Sequence, residues 1–147
     1  MEEMIVKVPP VDLPKGKDVV VVPRQTASTT AGRYQQGVQA AGSLPAGQEL
    51  VAIIRSEELS SPDQISVSGF ERADEKFKVA LKHLRFTGAL AANVVTIALI
   101  EISLGSLGAG NYQVEVTTNE FTFSDMNRHE DAAPSGTRLQ TATFTVV

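Results

Sequence analysis

The chain has 147 residues, a net charge of −4, 42% hydrophobic and 20% charged residues, and no cysteine. That length buries a core without staples, and the apolar fraction is too high for a disordered chain. The acidic balance argues against a nucleic-acid binder, which needs a positive field to displace counterions, and the missing cysteine excludes disulfides, thiolate nucleophiles and Cys-ligated metal or iron–sulfur sites.

Met4 to Val8 is a short apolar–polar run stopped by Pro9-Pro10, so residues 1–16 read as an extended N-terminal arm or an edge strand. The Met-Glu-Glu-Met start lacks the basic and apolar regions of a signal peptide. The expectation is a cytoplasmic protein, or an extracytoplasmic one whose signal has been removed. Lys15-Gly16-Lys17 reads as a turn. Asp18 to Val22 is a β-branched strand closed by Pro23, covered on both sides or pinned at its ends. Arg24 to Gly32 lacks any period and reads as a loop, Tyr34 to Ala41 as a strand, and Gly42 to Gly47 as a turn.

Glu49 to Arg55 supplies Leu50, Val51, Ile53 and Ile54 and is the strongest early core strand. After a polar turn from Ser56 to Asp63, Gln64 to Phe70 alternates as a half-buried strand. Over residues 74–85 two periods compete. Phe77, Val79 and Leu81 alternate like a strand, while Phe77, Leu81 and Leu84 fit a helix capped by Asp74. The neighbours on both sides favour a strand. Thr87 to Asn93 is a small-residue loop. Ala89 to Ile100, the longest apolar stretch, is interrupted by Asn93 and Thr96 and falls short of the roughly 20 residues that span a bilayer.

Val94 to Leu104 alternates with a phase slip at Ile100-Glu101 that predicts a bulge. A six-residue turn from Gly105 to Gly110 follows, and then a strand from Tyr112 with Val114 and Val116 on one side. Phe121 and Phe123 continue it after a slip at Thr118-Asn119. Ser124 to Gly136 is a long polar hairpin tip. Leu139 to Val147 closes the chain, with Ala142, Phe144 and Val146 opposite Thr141, Thr143 and Thr145. Gly-Ser-Leu-x-Ala-Gly occurs at both Gly42 and Gly105 with unmatched flanks, which favours reuse of a good turn over a duplicated domain.

Many short strands separated by turn signals predict one all-β domain over residues 1–147, an antiparallel sandwich. The spacing Leu107-x-x-Gly110-x-Tyr112 is that of a corner where the chain crosses between sheets, with the tyrosine hydroxyl bonded back to the turn. This corner, followed by Val-x-Val, and the closing Phe-Thr-Val-Val strand resemble the bacterial immunoglobulin-like and fibronectin-type-III-like β-sandwiches over Val94 to Val147. The resemblance implies about 7–9 strands and roles in adhesion, spacing or protease inhibition. The paired cysteines and core tryptophan of true immunoglobulin domains are missing.

The densest polar cluster is the tip Asp125-Met126-Asn127-Arg128-His129-Glu130-Asp131. Asp125, Asn127 and Asp131 are oxygen donors for calcium, but the mid-loop glycine and closing glutamate of an EF-hand are missing. Met126 and His129 offer a softer metal site that Met4 or His83 would have to complete. A solvated tip is the simpler reading, and no metal or other cofactor is expected. His83, Lys76, Lys78, Lys82 and Arg85 form a basic segment that reads as a solvated face deterring edge-to-edge aggregation. With two histidines and no Gly-x-Ser-x-Gly elbow, nothing anchors a catalytic triad. Glu57-Glu58 sit in a turn where nothing separates their pKa values. The glycines from Gly105 to Gly110 do not open a helix that could cradle phosphate.

The expectation is therefore a non-enzymatic binding or structural module that meets a protein or polymer partner through its loops and edge strands, without nucleic acid or a transmembrane segment. A small metal-binding protein using the tip, and a subunit that self-assembles through its edges, are the rival readings.

Overall fold

The computed structural model describes residues 3–13, 16–24, 44–89 and 94–147. Among these the chain forms eight strands: β1 (Glu3–Val8), β2 (Val19–Pro23), β3 (Glu49–Arg55), β4 (Gln64–Ala73), β5 (Lys76–Phe86), β6 (Ile97–Ser106), β7 (Gly110–Phe123) and β8 (Ala133–Val146). They build two four-stranded sheets, ordered β1-β6-β3-β2 and β4-β5-β7-β8. The strand expected at Tyr34 to Ala41, the loop before it, and parts of the turns at Lys15 and Gly42 and of the loop at Thr87 to Asn93 lie outside the described residues.

The sheets face each other across one apolar layer, and the protein is an all-β sandwich. Leu50, Ala52 and Ile54 of β3 and Ala98, Ile100 and Ile102 of β6 point into it from the first sheet. Phe77, Val79 and Leu81 of β5 and Val114 and Val116 of β7 meet them from the second. Removing this much aliphatic and aromatic surface from water drives the two sheets together. Phe77 anchors the aromatic end of the layer, its ring centroid 6.3 Å from those of both Phe70 and Tyr112.

Four details differ from the sequence expectation. Every pairing is antiparallel except that of β5 with β7, which is parallel from Lys76↔Gln113 to Phe86↔Phe123. The chain reaches this pairing by leaving the second sheet after β5, building β6 into the first, and returning as β7. The expected bulge at Ile100-Glu101 is not there, since β1 pairs with β6 in unbroken register from Val8↔Ile97 to Glu3↔Ile102. The register shift comes later, where Leu50 and Val51 face Gly105 and Ser103. Alternation fades at Ile100 because β6 is buried on both faces: Ile97 and Leu99 pack with Val51 and Ile53 in a second cluster on the sheet's other side.

The slip expected at Thr118-Asn119 is likewise a change of face by the apolar residues. β7 runs in regular register through that point beside β5, and it shifts against β8 only between Glu120 and Phe121. Residues 76–86 are strand, as the neighbouring strands favoured, and Asp74, which would have capped the rival helix, sits in the two-residue hairpin turn at a φ of 55°. Asp tolerates that left-handed conformation better than bulkier residues do. The hairpin tip is shorter than Ser124 to Gly136, because β8 begins at Ala133.

The two Gly-Ser-Leu-x-Ala-Gly copies approach each other at one end of the sandwich, where the Gly47 N–H donates to the Leu107 carbonyl at 3.1 Å. There the Tyr112 hydroxyl donates to the Gly108 carbonyl at 2.9 Å, closing the corner, and Leu107 is buried beneath it. Among the described residues no helix is long and apolar enough to cross a membrane.

Candidate functional site

The interior becomes polar at the opposite end of the sandwich, through the continued alternation of β5 and β7. Phe77, Val79 and Leu81 set the inward phase of β5, and His83 is the next residue in it. On β7 the same phase runs from Val114 and Val116 through Thr118 to Glu120, directly opposite His83. The sheet pattern therefore buries a histidine that the sequence reading placed on a solvated face. Its ring is 2% exposed, whereas Lys78 and Lys82 on the alternate phase are exposed.

Asp63, in the turn before β4, is equally buried and lies beside the ring, its Oδ2 3.4 Å from His83 Nε2. That carboxylate is fixed from behind, accepting the Phe86 N–H on Oδ1 at 2.8 Å and the Ser60 N–H on Oδ2 at 3.2 Å. On the ring's other side, Nδ1 lies 3.7 Å from Glu120 Oε2. Glu120 is held by Arg85, whose Nε donates to Oε2 at 3.1 Å, and by the Ser135 hydroxyl, which donates to Oε1 at 2.9 Å.

Arg85 also reaches Glu57 Oε2 at 3.2 Å, so one guanidinium spans both glutamates. Glu57 Oε1 pairs with Arg138 at 3.2 Å, and Arg138 reaches on to Asp18 Oδ2 at 3.0 Å. The network thus joins Asp18, Glu57, Asp63 and Glu120 to Arg85, Arg138 and the His83 imidazole. It borders a partly open cavity of about 200 Å³ whose walls include His83, Glu57, Glu120, Arg138 and Gln140. The side-chain nitrogen of Gln140 is buried and has no hydrogen-bond partner among the described residues. A buried amide without a partner is uncommon in a folded protein, because its lost hydration is not replaced.

The tip residues do not assemble in this way. Asp125 Oδ1 accepts the Asn127 N–H at 2.9 Å in a local turn, and Asp131 pairs with Arg128 at 2.8 Å. His129 lies edge-on to the Phe123 ring at 6.0 Å, and Met126 is 55% exposed. Among the described residues, the three side chains able to offer metal ligands within 4.8 Å of one another are Glu57, His83 and Glu120. Of these the sequence reading gave metal chemistry to His83 alone, and only as an addition to the tip. Glu57, Asp63, Glu120 and Arg138 were missed. Counting the inward phase two residues past Leu81 and four past Val116 would have placed His83 and Glu120 on the inner face, though not beside each other. The loop between β3 and β4, which brings both Glu57 and Asp63, carries no such signal.

Compared with protein-family models, curated proteins and solved structures, the chain matches none.

Proposed function

We propose that this chain is a non-enzymatic β-sandwich module that acts by contact, and that the outer side of β8 takes an extended segment of a partner protein. The observation that carries this reading is β8 itself, a 14-residue strand at the end of its sheet with β7 on one side and no described strand on the other. An unpaired strand edge offers a row of N–H and C=O groups, and adding a strand satisfies them. Proteins blunt such edges with charges, prolines and bulges. From Thr137 to Thr145, β8 has one charge, Arg138, and no proline, and its register against β7 is regular there. Beyond it, Val147 is closed off by backbone bonds to Leu44 and Ala46.

β4, at the other end of the sheet, carries a bulge between Val67 and Gly69, which makes it the poorer template. β1 offers a second, shorter edge on the first sheet. Kinship with the immunoglobulin-like modules is part of this proposal. The Tyr112–Gly108 hydrogen bond supports it, and the parallel β5–β7 pair departs from a purely antiparallel plan.

The test is selection of extended peptides from a displayed random library, followed by amide-exchange mapping of each bound peptide. Protection of Thr137–Thr145 on binding is the expected result. Binders that protect Ser124–Ala132 instead, or a library that yields none, would overturn the assignment to β8. Concentration-dependent sedimentation with protection of the same amides would make a second copy of the chain the occupant.

A further inference from the structure

We infer that Glu57, His83 and Glu120 form a binding site for a divalent cation of the zinc class, set inside the polar end of the sandwich and separate from the backbone edge of β8, whose Arg138 and Gln140 side chains line the adjoining cavity. Three observations carry the inference. The ligand atoms already lie within 4.8 Å of one another, and His83 Nδ1 and Glu120 Oε2 are 3.7 Å apart. Two ligands at about 2.0–2.2 Å from one tetrahedral ion stand about 3.3–3.5 Å apart, so closing onto a cation needs small side-chain rotations and no movement of the sheet.

The second observation is the orientation of the imidazole. Asp63 faces Nε2 and is itself held by two backbone N–H groups. With the ring proton on Nε2, donated to Asp63, the lone pair is on Nδ1, the nitrogen that lies 3.7 Å from Glu120 Oε2. A carboxylate behind the imidazole that fixes its tautomer and ring orientation is the arrangement that supports histidine ligands in metal sites. An imidazole with two carboxylates suits zinc and its transition-metal neighbours, whereas calcium and magnesium take oxygen donors alone.

The third is the cavity. Three protein ligands leave a tetrahedral ion one open position, and here the surrounding space is the cavity of about 200 Å³ that the partnerless Gln140 amide also lines.

Arg85 and Arg138 compete with the cation and also prepare its site. The Arg85 fork holds Glu57 and Glu120 side by side, and both guanidiniums are more than a third exposed, free to turn outward when a cation takes the carboxylates. If the arginines are the only partners these glutamates accept, the cluster is a closed ion-pair network and binds no metal.

The experiment is calorimetric titration of the chelator-treated full chain with Zn²⁺, with Ca²⁺ and Mg²⁺ in parallel, and Co²⁺ absorption as the coordination readout. One Zn²⁺ per chain is expected, with no saturable Ca²⁺ or Mg²⁺ binding. Glu57→Gln should weaken Zn²⁺ by about tenfold or more. Glu57 is 43% exposed at its side chain, so this variant tests the ligand without emptying the core, and an unchanged circular dichroism spectrum confirms its fold. His129→Ala with Asp125→Asn should bind as the parent does. In a ¹⁵N spectrum of the parent, Zn²⁺ should shift His83 Nδ1 and leave His129 in place. No saturable Zn²⁺ binding, an unchanged affinity in Glu57→Gln, or binding lost with the tip variant would each overturn the inference.

Discussion

At the scale of single residues, Tyr112 and Asp63 show how exposure sets the cost of losing a hydrogen bond. The Tyr112 hydroxyl bonds the Gly108 carbonyl at a solvent-accessible corner, and its ring also stacks on Phe144 at 5.4 Å. Tyr112→Phe keeps the stacking and frees a carbonyl that water can satisfy. It should lower unfolding free energy by about 0.5–1.5 kcal/mol in urea titrations, with an unchanged slope. Asp63 is 2% exposed and accepts from two backbone N–H groups, one on each oxygen. Asp63→Asn sets an amide N–H₂ against either the Phe86 or the Ser60 N–H, leaving a buried donor without an acceptor. The expected loss is about 1–3 kcal/mol by the same measurement. A smaller effect in Asp63→Asn than in Tyr112→Phe would contradict the account of the buried end.

At the scale of strands, β5 is the element on which both halves of the second sheet depend, since it pairs with β4 on one side and β7 on the other. Its inward Phe77, Val79 and Leu81 fill the core, while on the outer phase Lys76 and Lys78 act on Glu115 of β7 and Lys82 sits 5.2 Å over the Phe121 ring. Lys76 lies 2.6 Å from Glu115. Hydrogen bonding from Lys76 holds the Glu115 carboxyl below its ordinary value of 4.5, against an opposing effect of desolvation. A carboxylate whose pKa falls on folding stabilises the folded state above its unfolded value, and that contribution disappears as pH drops through the folded one. Glu115→Gln removes the titrating group. The gap between urea midpoints at about pH 7 and about pH 3 should therefore narrow slightly, as expected for an exposed pair. An unchanged or wider gap would count against the Lys76–Glu115 pairing.

For the whole molecule, the connectivity sets the folding problem. β1 pairs with β6 across almost a hundred residues of chain, Glu3 facing Ile102, and the parallel β5–β7 pair forms only around an intervening strand of the other sheet. Such contacts close large loops before burial compensates the lost entropy. Refolding from urea should accordingly fall in the range of about milliseconds to seconds by stopped-flow fluorescence of the tyrosines. A dominant microsecond phase would mean that local structure, rather than this topology, limits the rate. The same topology separates the working parts: the tyrosine corner closes one end of the sandwich, the His83 cluster occupies the other, and β8 borders one edge.

The amino-acid sequence by itself determined the all-β class, the strands at Glu49–Arg55, Gln64–Phe70 and Leu139–Val146, and the residues of the corner. These are legible because alternation with period two and glycine-rich turns act locally, within a few residues. Period alone failed where local signals are ambiguous. β6 lost its alternation because both its faces are buried, and β7 changed which face carries its apolar residues. Only the tertiary structure decided the parallel pairing and the meeting of Glu57, Asp63, His83, Glu120 and Arg138. Those five residues come from three strands and the loop between β3 and β4, spread over more than eighty positions. No spacing rule links them, because their proximity results from two sheets closing on a shared apolar core, which brings remote segments together whatever their order along the chain.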